Sequence, residues 1–242
     1  MLYSYNNTFE KTMEYLKTIW DIIFPKKCIS CGREGQYLCE DCLSLVPINP
    51  FKYCLCEKME KRNKCEQCKN KYLDKILSAT SFNNKIVKDA IYKLKYGYIE
   101  DLSIPLSFLV LSHLKTIDCQ INNDFILIPV PMYIKKKKKR GFNQSEEIAK
   151  LISELTGIKI STSLIKTKGT KPQMELNRKE RIENIKNCFA ITDKKEVENK
   201  TILLLDDVYT TGTTMNECAK ILKENGAKEV WGLSVAREIE LG

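Results

Sequence analysis

The stretch from Thr201 to Met215, TILLLDDVYTTGTTM, constrains the fold more than any other part of this chain. Ile202 to Leu205 are four consecutive branched apolar residues, the pattern of a strand covered on both faces. Such a strand needs helices on each side of its sheet, which points to a mostly parallel α/β arrangement. The run stops at Asp206 and Asp207, then passes through Thr210, Thr211, Gly212, Thr213 and Thr214 into a helical pattern stopped at Gly226. Isolated buried carboxylates are costly, so the pair is expected to face a polar ligand at the carboxyl end of its strand. Vicinal ribose hydroxyls suit them, since a carboxylate accepts hydrogen bonds from both. The backbone N–H groups, hydroxyls and helix dipole of the threonine loop suit a phosphate. Gly212 permits close backbone approach. The Gly-Lys-Ser/Thr ending of a nucleoside-triphosphate phosphate loop is absent.

The rest of the chain fits that scheme. NNKIVKDAIYKLKYG and IEDLSIPLSFLVLSHLK read as helices, DFILIPVP as a short buried strand, and Ser145 to Thr156 as a helix with Gly157 as its stop. IKISTSLIKT, CFAIT, KTILLLDDV and KEVWGLSVARE read as strands, while MYIKKKKKRGFNQ and the polar KGTKPQMELNRKERIENIKN read as loops. Upstream, Phe9, Met13, Leu16, Trp20 and Ile23 share one face of a predicted helix that Pro25 ends. Its polar face is mixed in charge, which favours packing over membrane-surface binding. The lone histidine, His113, sits in a helical apolar run and reads as structural.

Eleven cysteines in 242 residues are the compositional anomaly, and eight fall between Cys28 and Cys68. They form the pairs Cys28 and Cys31, Cys39 and Cys42, Cys54 and Cys56, and Cys65 and Cys68. The N-terminus lacks the pattern of a secretory signal, and no apolar run is long enough to span a membrane. A cytoplasmic protein with cysteines clustered as metal ligands is expected. Four thiolates close a tetrahedral Zn²⁺ site with no open position, so the ions would be structural, and eight cysteines suit two. Sequential and cross-braced sharing of the pairs both remain open. The division is then a helix over 1–25, a cysteine-rich module over 26–77 and an α/β domain over 78–242.

At this level of detail ILLLDDVYTTGTT resembles the signature of type I phosphoribosyltransferases, which bind 5-phosphoribosyl-1-pyrophosphate (PRPP). FPKKCISCG, LCEDC, LKYG, IPVP, RGFNQSEEIAK and KPQMELNRKERIENIKNCF follow in an order similar to the ComF family of competence-associated proteins, over about Trp20 to Arg237. The resemblance implies a type I phosphoribosyltransferase-like sheet flanked by helices, with a small N-terminal zinc module. It implies that Asp206 and Asp207 hold the ribose hydroxyls and that Thr210 to Thr214 cradle the 5-phosphate. Arg140, Gly141, Phe142, Asn143 and Gln144 would correspond to a pyrophosphate loop, and Gln173, Arg178 and Arg181 to a mobile lid over it. Mg²⁺ would accompany the ligand, KLKYGYIEDL would be the acceptor hood, and Asp206, Asp207 and Arg140 would serve any displacement of pyrophosphate from ribose C1. The five-lysine run Lys135 to Lys139 and the Cys54-Leu55-Cys56 pair depart from the family's usual pattern.

Charge adds a partner. From Ser78 onward the chain carries 27 basic and 21 acidic residues, and Lys135 to Arg140 alone supply six positive charges. A field focused on one loop suits pyrophosphate and also a nucleic-acid backbone. With Tyr92, Tyr96, Tyr98, Tyr133 and Phe142 nearby in sequence for base stacking, single-stranded DNA is an expected partner. The family resemblance adds a role in DNA uptake and other competence proteins as partners, and the lack of a long apolar run argues against membrane insertion. A salvage-type phosphoribosyltransferase with purely structural zinc, and a non-catalytic regulator that keeps the fold, are the alternatives.

Overall fold

The computed structural model describes residues 25–51, 72–122, 124–170 and 178–238. Two compact units divide between Leu45 and Val46. The predicted helix over Phe9 to Phe24 and the cysteines Cys54, Cys56, Cys65 and Cys68 lie outside the described residues.

In the first unit the chain turns tightly after Cys28, where the Gly32 N–H donates to the Cys28 carbonyl at 2.9 Å and Gly32 takes φ +77°. A short helix α1, Glu40–Ser44, follows and carries Cys42.

The second unit is built on five parallel strands in the order β1-β7-β6-β2-β3. They are β1 Lys75–Ser81, β2 Phe125–Pro129, β3 Lys159–Ile160, β6 Thr201–Tyr209 and β7 Glu229–Arg237. A separate antiparallel pair joins β4 Leu164–Lys166 to β5 Phe189–Ile191. The helices are α2 Lys85–Tyr96, α3 Ser103–Thr116, α4 Ile134–Arg140, α5 Gln144–Thr156, α6 Arg178–Ile185 and α7 Thr213–Glu224.

The central strand explains the layering. Side chains alternate across a sheet, so Ile202 and Leu204 face one way and Leu203 and Leu205 the other. All four are fully buried. Ile202 and Leu204 join Met215, Cys218, Ala219 and Leu222 of α7 in one apolar cluster with Phe189 of β5. The opposite face is covered by α3 and α5, which pack on each other, α3 also on β1 and β7, α5 also on β2 and β6. A mostly parallel sheet with helices on both faces is therefore the architecture, as the apolar run dictates.

Three elements differ from the sequence reading. β1 was not evident as a strand because Ser78 and Thr80 interrupt its apolar pattern; both are buried, Ser78 against Ser234 Oγ at 2.7 Å and Thr80 donating to the Pro47 carbonyl at 2.8 Å. The strand takes in Lys75, Ile76 and Leu77, residues that the division at Ser78 gives to the cysteine-rich module. The lysine run is helical as α4, because lysine and arginine are good helix formers and four cations in the last turn meet the negative end of the dipole. IKISTSLIKT splits into β3 and β4, since Ser161 Oγ takes the Ser163 N–H at 3.1 Å and breaks the strand between them.

His113 is fully buried on α3 with Nδ1 2.7 Å from the Asn49 carbonyl, a structural placement. No helix among the described residues is long and apolar enough to cross a membrane.

Candidate functional site

The sheet order places the site. The chain leaves β2 for β3 on one side and β6 for β7 on the other, so a crevice opens at the carboxyl ends of β2 and β6. There a cleft of about 670 Å³ is lined by Asp206, Asp207, Thr210, Thr211, Gly212, Thr213, Thr214, Arg140, Asn143 and Gln144 among others. Ten residues singled out from sequence thus converge on one cavity.

The floor of the cleft is the end of β6. Asp206 Oδ1 accepts from Ser145 Oγ at 3.1 Å and from the Asp207 N–H at 2.9 Å. Burial, together with the adjacent Asp207 charge, pushes the Asp206 carboxyl up to about 7. Asp207 is paired with Lys95, whose Nζ sits 2.6 Å from Oδ1. The Lys95 ammonium is raised above its ordinary value: burial opposes this, and the two aspartates outweigh it. One lysine therefore serves both carboxylates.

Beyond the floor the backbone turns into α7. Gly212 is its N-cap at φ +70° and contributes no side-chain cap. A Cβ there would lie 2.6 Å from Tyr209 Cζ, so the position excludes any larger residue unless the Tyr209 ring moves. Arg237 stacks over that ring at 5.2 Å and holds it. Thr211 and Thr213 hydroxyls bond to each other at 2.9 Å. The result is a hydroxyl-lined helix N-terminus, the standard cradle for an anion.

The opposing wall is cationic. Lys136 and Arg140, one turn apart on α4, both line the cleft, as does Lys166 at the end of β4. Partial burial and the Arg140 and Lys95 charges lower Lys136. Lys166 is lowered mainly by burial; its Nζ donates to Thr170 Oγ1 at 2.9 Å. Lys137 is turned away, 2.5 Å from Glu146.

Other expected residues take supporting places. Gly141 caps α4 at φ +94°, Phe142 is buried, and Asn143 donates to the Val130 carbonyl at 3.0 Å while capping α5. Gln173 lies outside the described residues, and Arg178 and Arg181 fall on α6. Lys136, from the lysine run, joins the cleft as that charge suggested, and Lys95, Lys166, Ser145 and Glu238 join it without having been assigned a role. For Lys95 a signal existed: Tyr92, Lys95 and Tyr96 form a polar stripe at i, i+3, i+4 beside the apolar stripe of Val87, Ile91 and Leu94. Among the described residues, Asp206, Asp207 and Glu238 are the carboxylates that line the cavity. Asp206 and Asp207 could supply one or two ligands to an ion held otherwise by ligand phosphates, the usual manner of Mg²⁺.

In the first unit, the sulfurs of Cys28, Cys31, Cys39 and Cys42 lie within 4.8 Å of one another, with Cys31 and Cys39 at 3.7 Å. A tetrahedral ion with metal–sulfur bonds of about 2.3 Å places its sulfurs roughly 3.8 Å apart, so the four fit one such ion. Burial would raise Cys28, but hydrogen bonds from the Cys39, Cys31 and Ser30 backbone bring it down to about 6, towards the ligating thiolate.

Comparison with known proteins follows the same division. Residues 99–236 match the family described as phosphoribosyl transferase domain. Competence protein F of Haemophilus influenzae is 38% identical over 46% of this chain and 50% of its own length. DNA utilization protein YhgH of Escherichia coli is 31% identical over 59% of this chain and 64% of its own length. Both matches thus span less than two thirds of those relatives. Competence protein ComFC of Streptococcus pneumoniae is 27% identical, and that match spans 94% of this chain and 97% of the relative.

Proposed function

The chain belongs to the phosphoribosyl transferase domain family, and we propose that its cleft binds PRPP. The observation that carries this reading is the junction after β6, where two carboxylates near the end of the strand, a few residues ahead of a glycine-opened helix N-terminus, line one cavity with it. Asp206 and Asp207 accept the ribose hydroxyls, and the Thr210 to Thr214 turn receives the 5-phosphate. Lys136, Arg140 and Lys166 face the pyrophosphate from the other wall. Asn143, the N-cap of α5, and Gln144, its first residue, fix that wall by burial rather than by charge. Gln173, Arg178 and Arg181 are assigned to the segment that closes over the pyrophosphate. Mg²⁺, when bound with the ligand, offsets the charge of the pyrophosphate oxygens beside Asp206 and Asp207.

Relatives of this chain are named for competence and for DNA utilization, and we extend that setting to this chain: it handles single-stranded DNA during uptake. The exposed cations of α4 support a nucleic-acid partner. The four-sulfur cluster holds Zn²⁺ as a structural ion, and Cys54, Cys56, Cys65 and Cys68 supply a second.

Titration calorimetry with PRPP and Mg²⁺ tests the cleft. Wild type binds, and Asp206→Ala/Asp207→Ala weakens binding at least about a hundredfold, because each lost hydrogen bond to a charged group is worth roughly 1.5–3 kcal/mol. Equal affinity in the double variant would remove the aspartates from the site. Elemental analysis is expected to find two zinc ions per chain; finding none would end the metal assignment.

A further inference from the structure

We propose that the rim formed by Tyr92, Tyr96 and the exposed cations of α4 docks single-stranded nucleic acid, with a base on the tyrosines and backbone phosphates on the cations, and that a docked strand and PRPP exclude one another. The coupling rests on the cleft reading given above; the docking position does not.

Tyr92 and Tyr96 lie one turn apart on α2 and are 40% and 56% exposed, and both line the cleft. Their ring centroids are 5.6 Å apart with planes tilted by 41°, so the rings do not close on each other face to face. The Arg140 guanidinium lies 5.6 Å from the Tyr96 centroid, which places a cation at the edge of the aromatic platform. Exposed rings beside a cation are the elements that hold an unpaired base and its phosphate.

The cations continue along α4. No residue of this helix is buried. Lys137 is committed to Glu146, but among the described residues no carboxylate lies within ion-pair range of Lys135, Lys136, Lys138, Lys139 or Arg140. Among the described residues these five positive charges on about two turns have no ion-pair partner, and they repel one another unless a polyanion adjoins them. An acidic peptide would satisfy the lysines but would leave the tyrosine faces without a partner. A base-paired duplex would hide its bases from them. An unpaired strand satisfies both halves.

Exclusion follows from shared residues. Arg140 lines the cleft and also sits over Tyr96, and Lys136 lines the same wall. When their positive charge is engaged by a backbone phosphate at the rim, it is withdrawn from a pyrophosphate inside. By linkage, PRPP then weakens strand binding by the factor by which the strand weakens PRPP binding.

The test uses the full chain as purified with its metal, and a fluorescein-labelled oligothymidylate of about 20 nucleotides read by anisotropy. Tyr92→Ala/Tyr96→Ala is expected to weaken oligonucleotide binding by about tenfold or more, while Tyr92→Phe/Tyr96→Phe retains it, since stacking needs the ring and not the hydroxyl. Lys135→Gln/Lys138→Gln/Lys139→Gln is expected to lower the slope of log affinity against log salt by about 2. Saturating PRPP raises the apparent Kd of the oligonucleotide. Binding that ignores the tyrosine substitutions, or polyglutamate displacing the oligonucleotide equally from both tyrosine variants, overturns the docking site. An oligonucleotide affinity unmoved by PRPP, when calorimetry shows PRPP bound, overturns the exclusion. If calorimetry shows no PRPP binding, the cleft ligand and the exclusion fall together, and the tyrosine variants still decide where the strand docks.

Discussion

The two walls of the cleft are made in opposite ways. The floor, Asp206 and Asp207, lies near the end of a strand in which the four preceding residues are fully buried, and its polar atoms are fixed by Ser145, Lys95 and the Asp207 N–H. The cationic wall is a seven-residue surface helix with no buried residue, held by the Lys137–Glu146 pair and the contact of Arg140 with the Tyr96 ring. A floor of this kind selects shape and hydrogen bonding. The wall attracts charge and tolerates rearrangement. Substitutions in the floor should therefore act strongly and independently of salt, whereas those in the wall should act weakly and fade as salt rises.

The largest effect is expected under the floor. Leu204→Ala removes a fully buried side chain from the cluster beneath α7 and should destabilise the protein by about 3 kcal/mol in urea unfolding. Lys138→Ala in the wall should change stability by less than about 0.5 kcal/mol, and similar values for the two would erase the contrast.

Next comes Gly212→Ala. The new Cβ meets the Tyr209 ring that Arg237 braces, in a left-handed conformation. PRPP affinity should fall by about tenfold and the melting temperature should drop with it, since the strain of a residue in this region is on the order of 1–3 kcal/mol. An unchanged affinity would separate the threonine turn from phosphate binding.

The third effect is one of pH. Asp206 titrates near 7 in the folded chain, above its ordinary 3.8. Only the ionised form accepts from two ribose hydroxyls, so PRPP affinity should rise as pH increases through about 7. Folding stability should move the other way. The folded state holds this proton more tightly than the unfolded chain, so its contribution is complete below about 4 and is lost as pH climbs towards 7. Asp206→Asn should flatten both profiles in calorimetry and thermal melts.

The smallest effect belongs to the wall. Arg140→Gln should weaken PRPP severalfold at low salt, and the difference should shrink at about 0.3 M salt. A loss that persists undiminished would mean that Arg140 is as tightly built in as the floor.

How much of this was legible beforehand divides along the same line. The β6 run announced its own burial, and with it the layered parallel sheet and the carboxylates at its end. The spacing of Cys28, Cys31, Cys39 and Cys42 announced metal ligands but left open which pairs share an ion, and the fold brings these four together. β1 hid its strand because Ser78 and Thr80 are satisfied by partners 156 and 33 residues away, which no local pattern contains. Lys166 was hidden for a similar reason, since a lysine reads as surface and only the tertiary fold brings it to the cleft; the polar stripe of Tyr92, Lys95 and Tyr96 marked Lys95 without showing its partner Asp207. The helical form of α4 followed from lysine propensity, which the eye passes over in favour of charge.

The most direct test of the floor compares ribose 5-phosphate with 2-deoxyribose 5-phosphate by titration calorimetry, on wild type and on Asp206→Asn/Asp207→Asn. If the carboxylates hold the ribose diol, wild type prefers the ribose form by about tenfold or more, and the double variant loses that preference while still favouring phosphate-bearing ligands. Equal affinity of wild type for the two sugars would contradict the assignment of Asp206 and Asp207 to the ribose.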